Sequence, residues 1–438
     1  MSCGQGGPKM AIAFSPLRIR GLIPDSVRTL RRDACVLFLS RFTRLFAYGS
    51  LSVILVFYLV SLGLTEGQVG ILLTLTLAGD LVISLLLTTR ADSVGRRKIL
   101  MIGAALMTAA GVAFASTKNL FLLLVAATVG VISPSGNEVG PFLSIEQAAL
   151  SQVVSPRVRT EVFAWYTFAG SLATAFGAFC GGTAAEVLQR ASVSKTESYR
   201  AVVLLYAVLG LVLASLFARL SSAAEIDATE RNKDSRFVLR YFLGIGKSLT
   251  IILKLSSLFA LDSFAGGFVI QSFAAYWFYL RFNVNPARLG LIFFWANILA
   301  GASSLVASKL ASRFGLVRTM VFTHLPSNVL LILVPLMPNL PLAVLLLLAR
   351  FSISQMDVPT RQSYTMAVVR PEERSAAGGV AGAARTAGAS ISPVFAGFLF
   401  SNPLFINVPF FLAGALKILY DLVLYKQFIG LRPPEEGD

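Results

Sequence analysis

The chain has 438 residues, 55% of them hydrophobic and only 14% charged, with a mean hydropathy of +0.74. A soluble domain carries about a quarter charged residues, so this composition excludes a soluble globular protein and points to an integral membrane protein. The net charge of +16 would suit a nucleic-acid partner, but the basic residues sit mainly in alternate connections between apolar runs, which speaks for a membrane topology instead.

Residues 1–33 are Gly-rich and basic and read as a cytoplasmic tail without an apolar core, so the first long helix acts as the insertion signal. At about 20 residues per crossing plus a short connection, the apolar runs that follow predict twelve membrane helices. An open sheet is excluded, because lipid leaves its backbone unsatisfied. Span 1, about 34–62, places Arg41, Arg44, Tyr48 and Ser52 on one face at about 100° per residue. Such a polar stripe needs a water-filled or protein-lined neighbour. Span 2, about 67–88, holds Gly79 and Asp80 near its middle. A tight charged turn around Gly95 leads to span 3, about 98–116.

Span 4, about 119–148, is irregular: Ser133 to Pro141 packs two prolines, two glycines and Glu138 into nine residues. A break of this kind is tolerated only where it lines a cavity or is buried in protein. Glu146 follows it. Span 5, about 161–185, carries Gly170, Gly177, Gly181 and Gly182, which allow close helix approach, and span 6 covers about 201–217. The polar stretch 219–248 then divides the chain. This gives a tail at 1–33, a six-helix bundle at 34–218, a cytoplasmic linker at 219–248, a second bundle at 249–427 and a tail at 428–438.

The second half repeats the first. A displacement of 220 residues aligns Gly70 with Gly290, Ala91 with Ala311 and Gly95 with Gly315, and one of 215 aligns Pro156 with Pro371 and Arg159 with Arg374. Span 7, about 251–280, carries Asp262, Gly266 and Gly267 and is rich in aromatic residues. Span 8 covers about 289–310, and span 9, about 316–336, holds the single histidine, His324, read as peripheral. Span 10, about 342–368, sets Arg350, Ser354, Asp357 and Arg361 on one face. Span 11 is rich in Ala and Gly around Arg385. Span 12 carries Lys417 and Asp421, which at i,i+4 are read as satisfying each other.

Of the 38 Lys and Arg, 25 fall in the connections on the side of the termini and linker, and 6 (Lys118, Arg190, Lys195, Arg200, Arg281, Arg288) fall on the other. This asymmetry places both termini in the cytoplasm, and the expected location is the plasma membrane. Cys3, Cys35 and Cys180 are too few and too scattered for a disulfide framework or a metal cluster. No metal and no cofactor is expected.

The segment Thr88 to Leu100 resembles the loop between helices 2 and 3 of the major facilitator superfamily, roughly G-x-L-A-D-R-x-G-R-R-x-x-L. Ala91, Asp92, Gly95, Arg96, Arg97 and Leu100 match, whereas Thr88, Arg90 and Ser93 stand where the family prefers Gly, Leu and Arg. The resemblance implies an all-α integral membrane fold of twelve transmembrane helices in two pseudo-symmetric six-helix bundles. It implies that helices 1, 4, 7 and 10 line a central cavity, that 2, 5, 8 and 11 form the interface between halves, and that 3, 6, 9 and 12 brace the outside. It also casts Asp92, Gly95, Arg96 and Arg97 as a conformational latch, against the plainer reading that the basic residues only set topology. The family's antiporter motif in helix 5 is incomplete here, with Ala178 in the place of its proline. Residues 122–132 also lack the early arginine of antiporter helix 4, which argues against a standard multidrug antiporter.

Ionisable groups inside a membrane are functional candidates by default. Arg41, Arg44, Tyr48, Glu138, Asp262, Arg350 and Asp357 are therefore read as solute-binding, Glu138, Asp262 and Asp80 as proton-coupling, and Glu146 and Arg361 as gate residues. The alternative is structural pairing, of Arg350, Asp357 and Arg361 along span 10 and of Arg41 with Asp262, and Asp80 is placed at the contact between halves. No ATP-binding loop and no catalytic constellation is present, so the chain is expected not to be an enzyme. The reading is a secondary transporter, proton-coupled, for a small anionic or polar solute, with protons and lipid as further partners, acting as a monomer without nucleic acid. The alternatives are a uniporter, an efflux carrier for amphipathic drugs that uses the aromatic span 7, and a non-transporting receptor or scaffold on the same fold.

Overall fold

The computed structural model describes residues 32–138, 140–155, 159–221, 224–225, 248–370 and 373–431, with side chains for all of these except 92, 93, 159–161, 308, 375 and 376. The expected tail at 1–33 and linker at 219–248 therefore lie mostly outside the described residues. Fifteen helices are described. The first half comprises α1 (Arg32–Ser61), α2 (Glu66–Val94), α3 (Arg96–Ser116), α4 (Leu120–Val129), α5 (Phe142–Val153), α6 (Arg159–Arg190) and α7 (Lys195–Phe217). The second comprises α8 (Leu249–Gly267), α9 (Gln271–Phe282), α10 (Pro286–Phe314), α11 (Leu316–Leu333), α12 (Leu340–Phe351), α13 (Asp357–Ala367), α14 (Arg374–Phe400) and α15 (Val408–Phe428). Among the described residues, nine helical spans are long and apolar enough to cross a membrane, α8 and α9 counting as one. The broken pairs α4/α5 and α12/α13 and the Ala/Gly-rich α14 complete twelve crossings.

Three crossings are interrupted, and the sequence announces only one of them. Between α4 and α5 the chain carries Pro134 and Pro141 and takes positive φ at Gly136 (72°) and Gly140 (80°), conformations open to glycine. Spans 7 and 10, expected to be continuous, also break, at residues 268–270 and 352–356. The second break overturns the expectation that Arg350, Ser354, Asp357 and Arg361 share one helical face. Arg350 ends α12 while Asp357 and Arg361 belong to α13, so the spacing no longer fixes their relative direction.

The internal repeat is visible in local structure. Thr65 and Asn285, 220 residues apart, each N-cap the helix that follows, as do Asn119 and Asn339. Gly95 and Gly315 occupy the same turn with positive φ (111° and 85°), each donating its N–H to the alanine four residues earlier. The two halves meet through α6 against α10 and α2 against α14. Gly290 faces Gly182, and its symmetry mate Gly70 faces Gly397, so closely that a side chain on any of the four would strike facing backbone. Small residues allow this approach.

These contacts gather in the half of the molecule opposite the linker. There Tyr276 Oη donates to Glu66 Oε1 at 2.7 Å, Gln271 Nε2 to Ser52 Oγ at 2.7 Å, and Asn285 Nδ2 to Glu186 Oε1 at 3.3 Å. Phe294 packs edge-on against Phe176, with ring centroids 5.4 Å apart. The approach of Gly301 to Ser171 marks the middle of the molecule. Towards the linker, Leu85 on α2 and Leu305 on α10, each within about 60° of the face that meets the other half, are exposed. The gap between halves is thus sealed at one end and open at the other.

Candidate functional site

The first charged cluster is built where α1 passes the break in crossing 4. Arg41 and Arg44, three residues apart, project from one face of α1 towards Glu138 in the break and Glu146 on α5. Arg44 forks across both: Nη1 lies 2.6 Å from Glu146 Oε1, and Nη2 lies 2.8 Å from Glu146 Oε2 and 3.0 Å from Glu138 Oε2. Arg41 Nη1 is 2.8 Å from Glu138 Oε1. Glu146 also accepts from Ser40 Oγ at 2.9 Å and from the Tyr166 hydroxyl. The guanidinium of Arg41 sits 4.4 Å over the Tyr166 ring and that of Arg44 4.7 Å over Phe142. Two arginines and two glutamates balance, as a desolvated site requires. The Arg44 and Glu146 side chains are 0% exposed while Glu138 is 17% exposed. Glu146 is thus the buried anchor, and Glu138 is the carboxylate that reaches water.

The backbone freed by the break is held from several sides. Asp80 accepts from the Gly140 N–H at 2.5 Å and from Ser84 Oγ at 3.2 Å, so it braces the break within the first half instead of joining the halves as expected. Tyr206 donates to the Val131 carbonyl. The Pro134 carbonyl accepts from Ser272 of the second half, by its N–H at 3.2 Å and its hydroxyl at 2.6 Å. Tyr48 is fully buried against Tyr206, with ring centroids 6.4 Å apart, and so supports this frame from within the first half.

The second cluster joins four crossings of the other half. Asp262 on α8 lies 2.5 Å from Lys417 Nζ on α15 and 3.1 Å from Arg361 Nη1 on α13. Arg361 also lies 3.3 Å from Asp357. His324 on α11 stands 3.7 Å from Asp262 and 2.8 Å from Asp421, whose other oxygen accepts from Asn328 Nδ2 at 2.9 Å. Three expectations change here. Lys417 and Asp421 do not satisfy each other, because their partners come from α8 and α11. His324 is not peripheral but bridges two buried aspartates. Arg41 does not pair with Asp262, since each charge finds its counter-charge in its own half. The sequence did carry one signal for His324: the polar Ser327 and Asn328 follow it within about one turn. Helices 9 and 12, expected only to brace, contribute to the cluster.

Asp262, His324 and Asp357 bring their ligand atoms within 4.8 Å of one another, which on composition alone could hold a metal. Lys417 and Arg361 already engage those carboxylates, so the donor set reads as an ion-pair network and does not fit a cation. Arg350 and Arg385 are half-buried, and the Nε atoms of both are buried without a hydrogen-bond partner.

In the expected latch, the Asp92 side chain lies outside the described residues. Gly95 makes the turn, Arg96 Nη1 donates to Gln152 Oε1 at 2.8 Å, and Arg97 Nη1 donates to the Leu220 carbonyl at 3.4 Å. Glu225, which sequence reasoning passed over as linker, accepts from the backbone N–H of Arg96 (2.9 Å) and of Arg97 (3.0 Å). It caps the N-terminus of α3, where a carboxylate is favoured by the helix dipole.

The profile of the Major Facilitator Superfamily matches residues 37–280 and again 255–438. The uncharacterized membrane protein YJR124C of Saccharomyces cerevisiae is 32% identical over 425 residues, which cover 91% of this chain and 95% of that protein. The crystal structure of the nucleoside transporter NupG superposes with a TM-score of 0.68 at 13% identity, covering 91% of this chain and 99% of NupG. A bacterial homologue of the human lysosomal transporter Spinster, in its inward-facing and occupied conformation, gives 0.70 at 12% identity over 91% and 97%. A D-xylose-proton symporter gives 0.67 at 15% over 92% and 99%.

Proposed function

Because this chain belongs to the Major Facilitator Superfamily, we propose that it is a secondary transporter that carries a small polar or anionic solute by alternating access, coupled to protons. The observation that supports this reading best is the gap sealed at one end, open at the other and flanked by one charged cluster in each half. The basic connections support a cytoplasmic linker end. On that orientation the structure is the inward-open state, with Glu66–Tyr276, Gln271–Ser52 and the glycine pairs as the closed outer gate. The plasma membrane is the proposed location, and a monomer holds the whole pathway.

Glu138 and Asp262 are the proposed coupling groups. Protonating Asp262 would neutralise the carboxylate that holds Lys417 of α15 and Arg361 of α13 against α8, loosening three crossings together. Protonating Glu138 would release Arg41 and part of Arg44 from the break in crossing 4. In each case the proton changes the balance between two packings of the same half, which is how a gradient drives a conformational cycle. Arg44, Glu146 and Arg361 are the pivots around which these contacts change.

The efflux reading for amphipathic drugs rests on the aromatic residues of span 7, and their placement weakens it. Phe273, Tyr276 and Trp277 are at most 4% exposed and pack against Phe400 and Phe410. The test is uptake into proteoliposomes of solutes of several charge classes under an imposed pH gradient. Accumulation against the solute's own gradient that collapses with a protonophore supports coupled transport. Flux that follows the solute gradient alone makes the protein a uniporter.

A further inference from the structure

The two clusters differ in charge balance. In the first half two arginines face two glutamates. In the second, Asp262, Asp357 and Asp421 stand among Lys417, Arg361, Arg350 and Arg385. Lys417 and Arg361 take Asp262 and Asp357, and His324 with Asn328 takes Asp421. Arg350 and Arg385 are left with no carboxylate at ion-pair distance among the described residues, and with Nε atoms buried and unpartnered. A half-buried guanidinium with no carboxylate at ion-pair distance is unfavourable inside a membrane. A pair of them persists where something anionic completes the site.

Their position is that of the gap. Arg385 lies near the middle of α14. One turn further on, Gly388 packs against the backbone of Ala260, two residues from Asp262, which sets Arg385 at the level of the second cluster. One turn earlier, Gly382 is exposed and meets nothing within 4 Å. At about 100° per residue, Gly382 lies on the opposite side of α14 from the exposed Ile391, Phe395 and Phe398. The open space beside it is therefore the gap between halves and not the lipid face. Arg350 closes α12 at the edge of the break in crossing 10; Arg361 is the strongest electrostatic neighbour of Arg385, and Asp262 and Asp357 act on both arginines.

On the transporter reading above, we infer that Arg350 and Arg385 form an oxyanion-binding subsite in the second half, and that the solute carries a carboxylate or phosphate group. A guanidinium presents a planar fork that matches either group with two parallel hydrogen bonds. The bound anion supplies the missing counter-charge, and the balanced first cluster leaves the recognition of negative charge to this side.

The test is binding to purified full-length protein in phosphatidylcholine nanodiscs, followed by mass spectrometry with a fixed panel: succinate, citrate, glucose 6-phosphate and inorganic phosphate, with glucose, uridine and choline as neutral and cationic controls. The expected result is retention of at least one anion above the controls, lowered tenfold or more in R350Q and in R385Q. It is lowered less in R350K and R385K, which keep the charge and lose the fork, and is unchanged in R288Q at an exposed site. Retention confined to the controls, retention of nothing, or anion retention that survives both Gln variants would overturn the inference. Displacement of the anion by added phosphatidylserine would overturn the assignment to a soluble solute and make the occupant a lipid headgroup. The two readings fail separately. Gradient-driven uptake of uridine or glucose that ignores R350Q and R385Q keeps the transporter and removes the oxyanion subsite. Arginine-dependent anion binding without uptake of any panel member keeps the subsite and removes transport.

Discussion

The desolvated pair Arg44–Glu146 gives the sharpest energetic prediction. Both side chains are 0% exposed, and Glu146 accepts from Arg44 at 2.6 and 2.8 Å, from Ser40 at 2.9 Å and from Tyr166. Glu146→Gln keeps the shape but leaves Arg44 with only the shared Glu138 as counter-charge. Breaking a buried pair from one side costs about 3–5 kcal/mol. For a unit of 150–250 residues, the size of this half, each kcal/mol lowers the melting temperature by about 2–4 °C, so the loss should be roughly 6 °C or more. Arg44→Gln should cost a similar amount. The double variant should cost less than the sum by about 2 kcal/mol, because the second substitution removes the charge that the first left stranded. The assay is thermal unfolding of detergent-purified protein followed by tryptophan emission and by the monodisperse fraction on size exclusion. Single shifts below about 2 °C with an additive double variant would show that water fills this cluster, and would refute the assignment of Glu146 as a buried anchor.

Three further outcomes follow from the same geometry. Gly397→Val places a side chain against the backbone of Glu66 and Gly70 and so prevents the outer gate from seating; a single cysteine at position 174, in a cysteine-free background, should react at least fivefold faster with an impermeant maleimide added opposite the linker. Tyr276→Phe removes the 2.7 Å hydrogen bond to Glu66; a bond to a charged acceptor is worth about 1.5–3 kcal/mol, so the outward-open population should rise about tenfold or more in the same labelling assay. Asp80→Asn weakens the hold on the Gly140 N–H and should lower stability by about 1.5–3 kcal/mol, with exchange and gradient-driven uptake falling together; loss of gradient-driven uptake alone would instead restore Asp80 as a coupling group.

The twelve-crossing architecture was legible because lipid imposes long apolar runs and an asymmetric distribution of Lys and Arg, both of which are one-dimensional signals. The break in crossing 4 was legible for the same reason, since Pro134, Gly136, Gly140 and Pro141 cannot sit together in a regular helix. The breaks in crossings 7 and 10 were not. Gly266–Gly267 and the segment 352–356 are compatible with helix, and tertiary packing decides against it. Once crossing 10 is interrupted, the spacing from Arg350 to Arg361 says nothing about a shared face. Pairings between helices were likewise hidden. Spacing could suggest Lys417 with Asp421, but only the fold brings Asp262 and His324 between them. Arg41, Arg44 and Glu138 stood out as charges within apolar runs, and the structure brings them together, whereas Glu225 was missed because a carboxylate at the head of a polar linker looks solvated until a helix terminus is placed beside it.

Two activities of Glu138→Gln and Asp262→Asn in proteoliposomes separate proton coupling from transport itself: concentrative uptake under a pH gradient, and counterflow exchange, which needs no net proton movement. If these carboxylates carry the coupling proton, at least one of the variants loses concentrative uptake by tenfold or more while counterflow stays within about twofold of wild type. Concentrative uptake that survives in both variants would contradict that role, and would return the two carboxylates to purely structural roles.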